Sequence, residues 1–389
     1  MIFVAETADG EKVVYKDKKR YLWILSILSP SIPGIASLIL LTGGHVMWSA
    51  FPLLYYYVFV PIMDIFFGED TSNPPEAVVE KLSSDNYYRV LLHLSIPVFF
   101  FSFFMSAIAV GTLEMPILAI IALTIGAGAA SGAGLTVGHE LGHKHSALDR
   151  FGAKLITSLT GYSHFCIEHN QGHHVMVATP EDPASARINE SVYAFAMREL
   201  PATATIAWDL EKKRLARKGL PFWHWKNDLL QGYAITLSIA IGLIIAFGWV
   251  MIPFIILHHI AGYSQLTLAN YVEHYGLLRE KKADGKYVPC DPIHSWNTNH
   301  IFSNLMLFHL QRHSDHHYKP DRRFPLLQTY GPEEAPQLPF GYGVMGVVAM
   351  IPPLWRRRMN PRVRAWRKQF YPDIEDWTPY KTGALPMPR

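Results

Sequence analysis

Residues 21–80, 90–143 and 227–278 contain no lysine or arginine, although the chain carries 35 such residues in its 389. Within these stretches lie six apolar runs near 21–42, 45–67, 90–111, 115–137, 229–248 and 250–271. A run of about 20 apolar residues matches the thickness of a bilayer's hydrocarbon core, and only helices satisfy their own backbone there. The sequence therefore predicts an all-α integral membrane fold with six transmembrane helices. The runs pair into three hairpins whose short turns, at Gly43-Gly44, around 112–114 and near Trp249, hold no basic residue. The basic residues fall in the N-terminal tail, the segments after the second and fourth runs, and the C-terminal region. The positive-inside rule then places both termini on the cytoplasmic side.

The two long segments on that side, 138–228 and 272–389, are broken by Pro and Gly. They are expected to fold together as a histidine-rich cap of one domain spanning 1–389. An amphipathic helix is expected within 192–218, interrupted at Pro201 and closed by Lys212, Lys213, Arg214, Arg217 and Lys218, lying on the surface. Arg356–Arg358 and Trp366 are expected at the headgroups. No cleavable signal peptide is visible in the charged first 20 residues. A net charge of +3 predicts no nucleic-acid partner. The two cysteines, Cys166 and Cys290, cannot build a four-thiolate metal site.

Histidine clusters follow directly on the apolar runs. They are His139 and His143; His169, His173 and His174; His274; and His313, His316 and His317. Neutral imidazole is a common metal ligand, and residues four apart share a helix face. On that basis His139/His143, His169/His173 and His313/His317 each form a pair, with His174 and His316 free to turn toward a second metal. Nine imidazoles exceed what one ion accepts, so two metals of four or five ligands each are expected. Imidazole alone leaves zinc, copper, iron and nickel open. His164, Glu140, Glu168, Glu273 and Asp315 are expected behind the ligands, the carboxylates accepting imidazole N–H groups. In the fourth run Gly126, Ala130, Gly134 and Gly138 recur every four residues, with Gly128 and Gly132 between, which favours close helix packing. That helix is also placed to line a channel ending at His139.

The strings His139-Glu140-x-x-His143, Glu168-His169-x-x-Gly172-His173-His174 and Leu310-Gln311-Arg312-His313-Ser314-Asp315-His316-His317 resemble the histidine boxes of integral-membrane desaturases and hydroxylases. With Asn270-Tyr271-x-Glu273-His274-Tyr275-Gly276 and Pro180-Glu181-Asp182-Pro183, the chain resembles the membrane alkane 1-monooxygenase family from the first run to about Tyr330. The resemblance implies a di-iron site on the nine histidines and O2-dependent hydroxylation of the terminal carbon of medium-chain n-alkanes. It also implies a bacterial inner membrane and electrons from rubredoxin, itself reduced by an NAD(P)H-dependent reductase. No Cys-x-x-Cys pair is present, so the donor is expected on a separate polypeptide or domain. An alkane offers no polar handle, so selection of its end requires a narrow apolar tunnel. Trp48, Tyr55, Tyr56 and Tyr57 of the second run, with the fourth run, are expected to line it. A fatty-acyl desaturase, an aryl-methyl hydroxylase and a metal transporter are the alternatives; a transporter's ligands belong near the membrane midplane, not beyond the runs.

Overall fold

The computed structural model describes residues 1–373 apart from Ala8 and Ala283, so residues 374–389 of the expected cap lie outside the described residues. Between Arg20 and His274 the chain is carried mainly by the helices α1 (Arg20–Leu41), α2 (Val46–Phe67), α3 (Asn86–Thr112), α4 (Ile117–Gly142), α5 (Ala147–Ser158), α6 (165–176), α7 (Val192–Ala216), α8 (Asp228–Phe247) and α9 (Met251–His274), with a short helical turn over 76–83 before α3. Among the described residues α1, α2, α3, α4 and α8 are long and apolar enough to cross a membrane. The expected sixth span is the helix α9, which carries His258, His259, Ser264 and Gln265 in its middle and so is less apolar than those five. The chain is a mostly helical, multi-pass membrane protein.

Helix ends follow local chemistry. The side chains of Asp85 and Asn227 accept hydrogen bonds from the first free backbone N–H groups of α3 and α8. Gly248, at φ +77°, ends α8 in a conformation that side chains disfavour. Two helices run past their expected ends. α4 continues through His139 to Gly142 and α9 through to His274, so these histidines ride on rigid helices and not on loops.

Three features depart from expectation. Residues Ile2–Glu6 and Lys12–Lys16 form an antiparallel hairpin, β1 and β2, with Phe3 and Ala5 turned into the core. The period-two alternation around Asp9-Gly10 is a hairpin signal that charge-counting passes over. Helix α7 is unbroken at Pro201. Its buried stripe, from Phe195 through Thr203 to Leu215, pins both halves to the same core. Trp366 is buried, its indole N–H donating to the Ile293 carbonyl at 2.8 Å, and so does not reach the headgroups. It belongs to a second apolar core made by Tyr271 of α9 and Tyr275 just beyond it with Trp355 and Met359 of a C-terminal helix, Pro352–Phe370.

The glycines of α4 serve different neighbours. A Cβ at Gly126 would meet Pro52 of α2, one at Gly128 would meet Ala261 and the His258 carbonyl at 2.6 Å, and one at Gly138 would meet Thr157 of α5. At Gly132 it would collide with the Gly262 carbonyl of α9. The α4–α9 contact is therefore backbone against backbone, which fixes the separation of His139 from His274. Replacing Gly128 with Val should destabilise the fold by about 1–3 kcal/mol. Gly242→Ala, inside α8 where nothing lies within 4 Å, should keep the thermal midpoint in detergent or raise it slightly; equal midpoints for the two variants would contradict this packing.

Candidate metal centre

The nine clustered histidines converge from four elements. His139 and His143 close α4, and His169, His173 and His174 lie on α6. His274 ends α9, and His313, His316 and His317 lie on a short helix, α10 (His313–Tyr318). They sort into two groups: His139, His143, His169, His174 and His316, and His173, His274, His313 and His317. In each group one ring nitrogen per residue lies within 4.8 Å of every other. In the first, the Nε2 atoms of His174 and His169, and of His174 and His316, are 3.0 Å apart. In the second, His313 Nε2 lies 3.2 Å from His274 Nε2 and 2.9 Å from His317 Nε2. The groups adjoin, with the His174 and His317 ring centroids 4.4 Å apart.

The pairing expected for His169 and His173 does not occur. Residues His169–His173 form a turn of π-helix, so α6 returns to a given face after five residues, not four. His169 therefore joins His174, and His173 turns to the other group. The pairs His139/His143 and His313/His317 stay together as the α-helical spacing predicts.

Burial, and secondarily the neighbouring imidazoles, hold His169, His174, His313, His316 and His317 well below the usual histidine range. Burial takes His143 down to about 3. Neutral imidazoles with inward lone pairs are the form that binds a metal. The Nε2 atoms of His139, His143 and His173 are buried without a hydrogen-bond partner, an arrangement suited to a cation on each group. The second group is wholly buried, whereas His143 and His174 of the first are half-buried and bring that group near the surface.

The surrounding carboxylates only partly match expectation. Glu273 Oε2 lies 3.2 Å from His313 Nε2, on the inward side, while its Oε1 accepts from the Tyr342 hydroxyl at 2.9 Å. Glu273 is thus an available oxygen donor to the second group. Asp315 instead binds Arg322 at 2.9 Å, Tyr330 at 2.6 Å and the Gln328 N–H, folding the following loop onto α10. Glu140 pairs with Lys144 at 3.1 Å, one helical turn on. The Glu168 Oε1 is buried with no hydrogen-bond partner, and burial raises that group well above the carboxylate range. His164 Nδ1 meets the Tyr233 hydroxyl at 2.7 Å, tying α6 to α8.

Asp182 was not singled out in the sequence, and it binds His173 Nδ1 at 2.9 Å. The Ser185 hydroxyl and Ala184 N–H hold its carboxylate in turn. Burial opposes its ionisation, but His173 and Ser185 outweigh it and keep the carboxyl below its usual range. Nine residues and a turn separate it from His173, so no helical spacing links the two; the acidic residue in Pro180-Glu181-Asp182-Pro183 was the available signal.

An apolar cavity lies between α4 and α9, the helices that carry His139 and His274, and none of the nine histidines is in its wall. Its wall includes Ala129, Gly132 and Thr136 of α4, Gln265 and Val272 of α9, and Tyr342. Tyr56 and Tyr57 of α2 line it; Trp48 and Tyr55 are not in its wall. A π-turn over Tyr55–Phe59 rotates this part of α2. Tyr57 accepts a hydrogen bond from Gln265 at 2.9 Å, and Trp48 packs on Phe51 instead.

An Asp182→Asn variant should weaken the metal affinity of the second group roughly 10–100-fold, since the partner of a ligand's other nitrogen sets its orientation and basicity. Metal titration of the variant against the parent reads this directly; an unaltered affinity would remove Asp182 from the site.

Residues 115–349 match the fatty acid desaturase family. Over 383 residues the chain is 43% identical to alkane 1-monooxygenase 1 of Alcanivorax borkumensis, covering 97% of this chain and 94% of that protein. It is 47% identical over 352 residues to the alkane 1-monooxygenase of Pseudomonas putida, covering 90% and 87% respectively. The xylene/toluene monooxygenase hydroxylase component of Pseudomonas putida is 28% identical over 238 residues, 61% of this chain and 62% of that protein. The chain belongs to the alkane 1-monooxygenases of the fatty acid desaturase family and is an oxidoreductase, a membrane-bound monooxygenase.

Proposed function

We propose that the nine histidines hold two iron ions, five on one and four on the other, and that the protein hydroxylates the terminal carbon of medium-chain n-alkanes. One oxygen atom of O2 enters the C–H bond to give the 1-alkanol. Two electrons and two protons carry the other to water. Rubredoxin, reduced by an NAD(P)H-dependent reductase, supplies the electrons. The reading also takes α9 as a sixth span and the chain as one unit in the bacterial inner membrane, with both termini and the histidines cytoplasmic.

The observation that carries this reading is the apolar cavity between helices that end in metal-binding histidines. Val272 lies two residues before His274 on α9, and Thr136 three before His139 on α4. From Ala129 to His139 is a rise of roughly 15 Å at about 1.5 Å per helical residue. Single bonds of about 1.5 Å meeting at about 111° advance an extended chain by about 1.25 Å per carbon, so this rise matches roughly a dozen carbons. The cavity's mostly apolar wall holds the chain and excludes water, directing its end toward the histidines. Bound iron would supply the reduction of dioxygen and the oxidising power to break a primary C–H bond. The half-buried edge at His143 and His174 supports electron entry from the cytoplasmic side, and the one-sided basic charge supports that orientation.

The test is to supply octane, O2 and reduced rubredoxin to the protein in nanodiscs, read products by gas chromatography, and count iron in parallel. 1-Octanol with two irons per chain is expected; an alkene, or no alcohol with both irons bound, would overturn the assignment. His274→Ala should abolish turnover and lower bound metal. Tyr57→Ala should shift the accepted alkanes to longer chains, whereas Trp48→Ala should not. Identical chain-length profiles for the parent and Tyr57→Ala would rule out this wall as a determinant.

A further inference from the structure

Helix α7 presents two contrasting faces. Val192, Phe195, Glu199, Thr203, Ala207, Glu211 and Leu215 are buried against the protein. Tyr193, Met197, Pro201, Ala204, Trp208 and Lys212 recur every three or four residues on another strip, which is apolar until its end. Met197 is 79% exposed, and the Trp223 and Trp225 side chains just beyond the helix are 74% and 73% exposed. These aromatics are not loose. Trp208 packs on Phe222 at 4.0 Å between ring centroids, and Phe222 on Trp223 at 5.3 Å. Large ordered apolar surface of this kind implies a covering medium.

The covering medium is identified by continuity and charge. The loop 217–227 runs straight into α8, a membrane-crossing helix beginning at Asp228. Glu211 accepts from the Asp228 N–H at 2.6 Å, so the end of α7 is fixed to the mouth of that span. Tryptophans at such a position sit at headgroup level. Around them Lys212, Lys213, Arg217, Lys218 and Lys226 are exposed. Arg214 is neutralised by Glu211 and Asp228, but among the described residues none of these five forms an ion pair with a carboxylate. An apolar strip beside cations that no carboxylate neutralises, at the foot of a span, fits an anionic bilayer surface.

We propose that α7 lies in the bilayer interface and that Lys212, Lys213, Arg217, Lys218 and Lys226 hold the phosphodiester headgroups of anionic phospholipids. Tyr193, Met197 and Trp208 dip into the acyl boundary, and Trp223 and Trp225 sit between headgroups and chains. The same helix reaches the metal centre's surroundings: Glu199 accepts from the Asn270 amide at 2.6 Å, one turn before His274. The headgroup site thus braces a helix that supports the ligand-bearing α9.

The full-length protein is placed in nanodiscs of phosphatidylcholine alone or mixed with phosphatidylglycerol, and retained lipid is counted by native mass spectrometry. The parent should retain phosphatidylglycerol in preference to phosphatidylcholine. A variant combining Lys212→Gln, Lys213→Gln, Arg217→Gln and Lys218→Gln should lose that preference by roughly tenfold or more. Lysine-to-arginine replacements should keep it. Unchanged iron content in phosphatidylcholine discs serves as the folding control, and it separates this result from any failure of the alkane assay. An undiminished preference in the glutamine variant overturns the proposal. A second measurement needs no variant: raising ionic strength should weaken the parent's preference, and a salt-insensitive preference would also overturn it.

Discussion

Converging nitrogen lone pairs govern this structure. Nε2 atoms 3.0 Å apart cannot all be proton donors, and burial forbids settling the conflict by charging the rings. Cations shared among the rings would reconcile that crowding with a dry interior. Much else in the molecule holds the rings where this can happen. α4 and α9 run unbroken into the site and approach through glycine backbones. Arg312, buried beside the third cluster, donates to the Leu327 carbonyl at 2.7 Å and to the Asp70 carbonyl at 2.8 Å, closing the segments around α10 over the rings. Asp182 fixes the one ring whose outer nitrogen it touches.

The membrane-length helices and the gathering of the nine histidines were legible because each rests on a short-range rule. Apolar length reports a crossing helix, and imidazoles next to such helices report a metal. What escaped depends on winding or on distant chain. The four-residue spacing of His169 and His173 reads as one face only on an α-helix, and the π-turn divides them between the two groups. Asp315 stands between ligands in sequence, yet its carboxylate is taken by Arg322 and Tyr330. Asp182 does the work expected of it from outside any periodic element. Tyr342, which joins the cavity wall to Glu273, lies far along the chain in a segment with no histidine to mark it.

The same contrast holds for the fold. The N-terminal hairpin is a local pattern that the membrane signal overshadows, whereas the continuity of α7 through Pro201 is a tertiary effect. The missing hydrogen bond falls on a helix whose opposite face is tied down along its whole length. Trp366 illustrates the limit of composition: beside a run of arginines it suggests an anchor at the lipid surface, but its indole is committed to the interior. The aromatics that do face outward, Trp223 and Trp225, lie at the foot of α8.

The cavity is walled partly by Gly343, Gly346 and Val347, and Val347 is itself 37% exposed on the outer surface. Only a thin wall therefore separates the apolar pocket from the protein's exterior and, where that face meets lipid, from acyl chains. A substrate that dissolves in those chains has little need to cross water on its way in. The supply to the pocket is then conveniently measured by the mole fraction of alkane in the bilayer, which at partition equilibrium carries the same chemical potential as the dilute alkane in water. Saturation would follow partitioning: a longer alkane, scarcer in water but richer in lipid, can occupy the protein as readily as a shorter one.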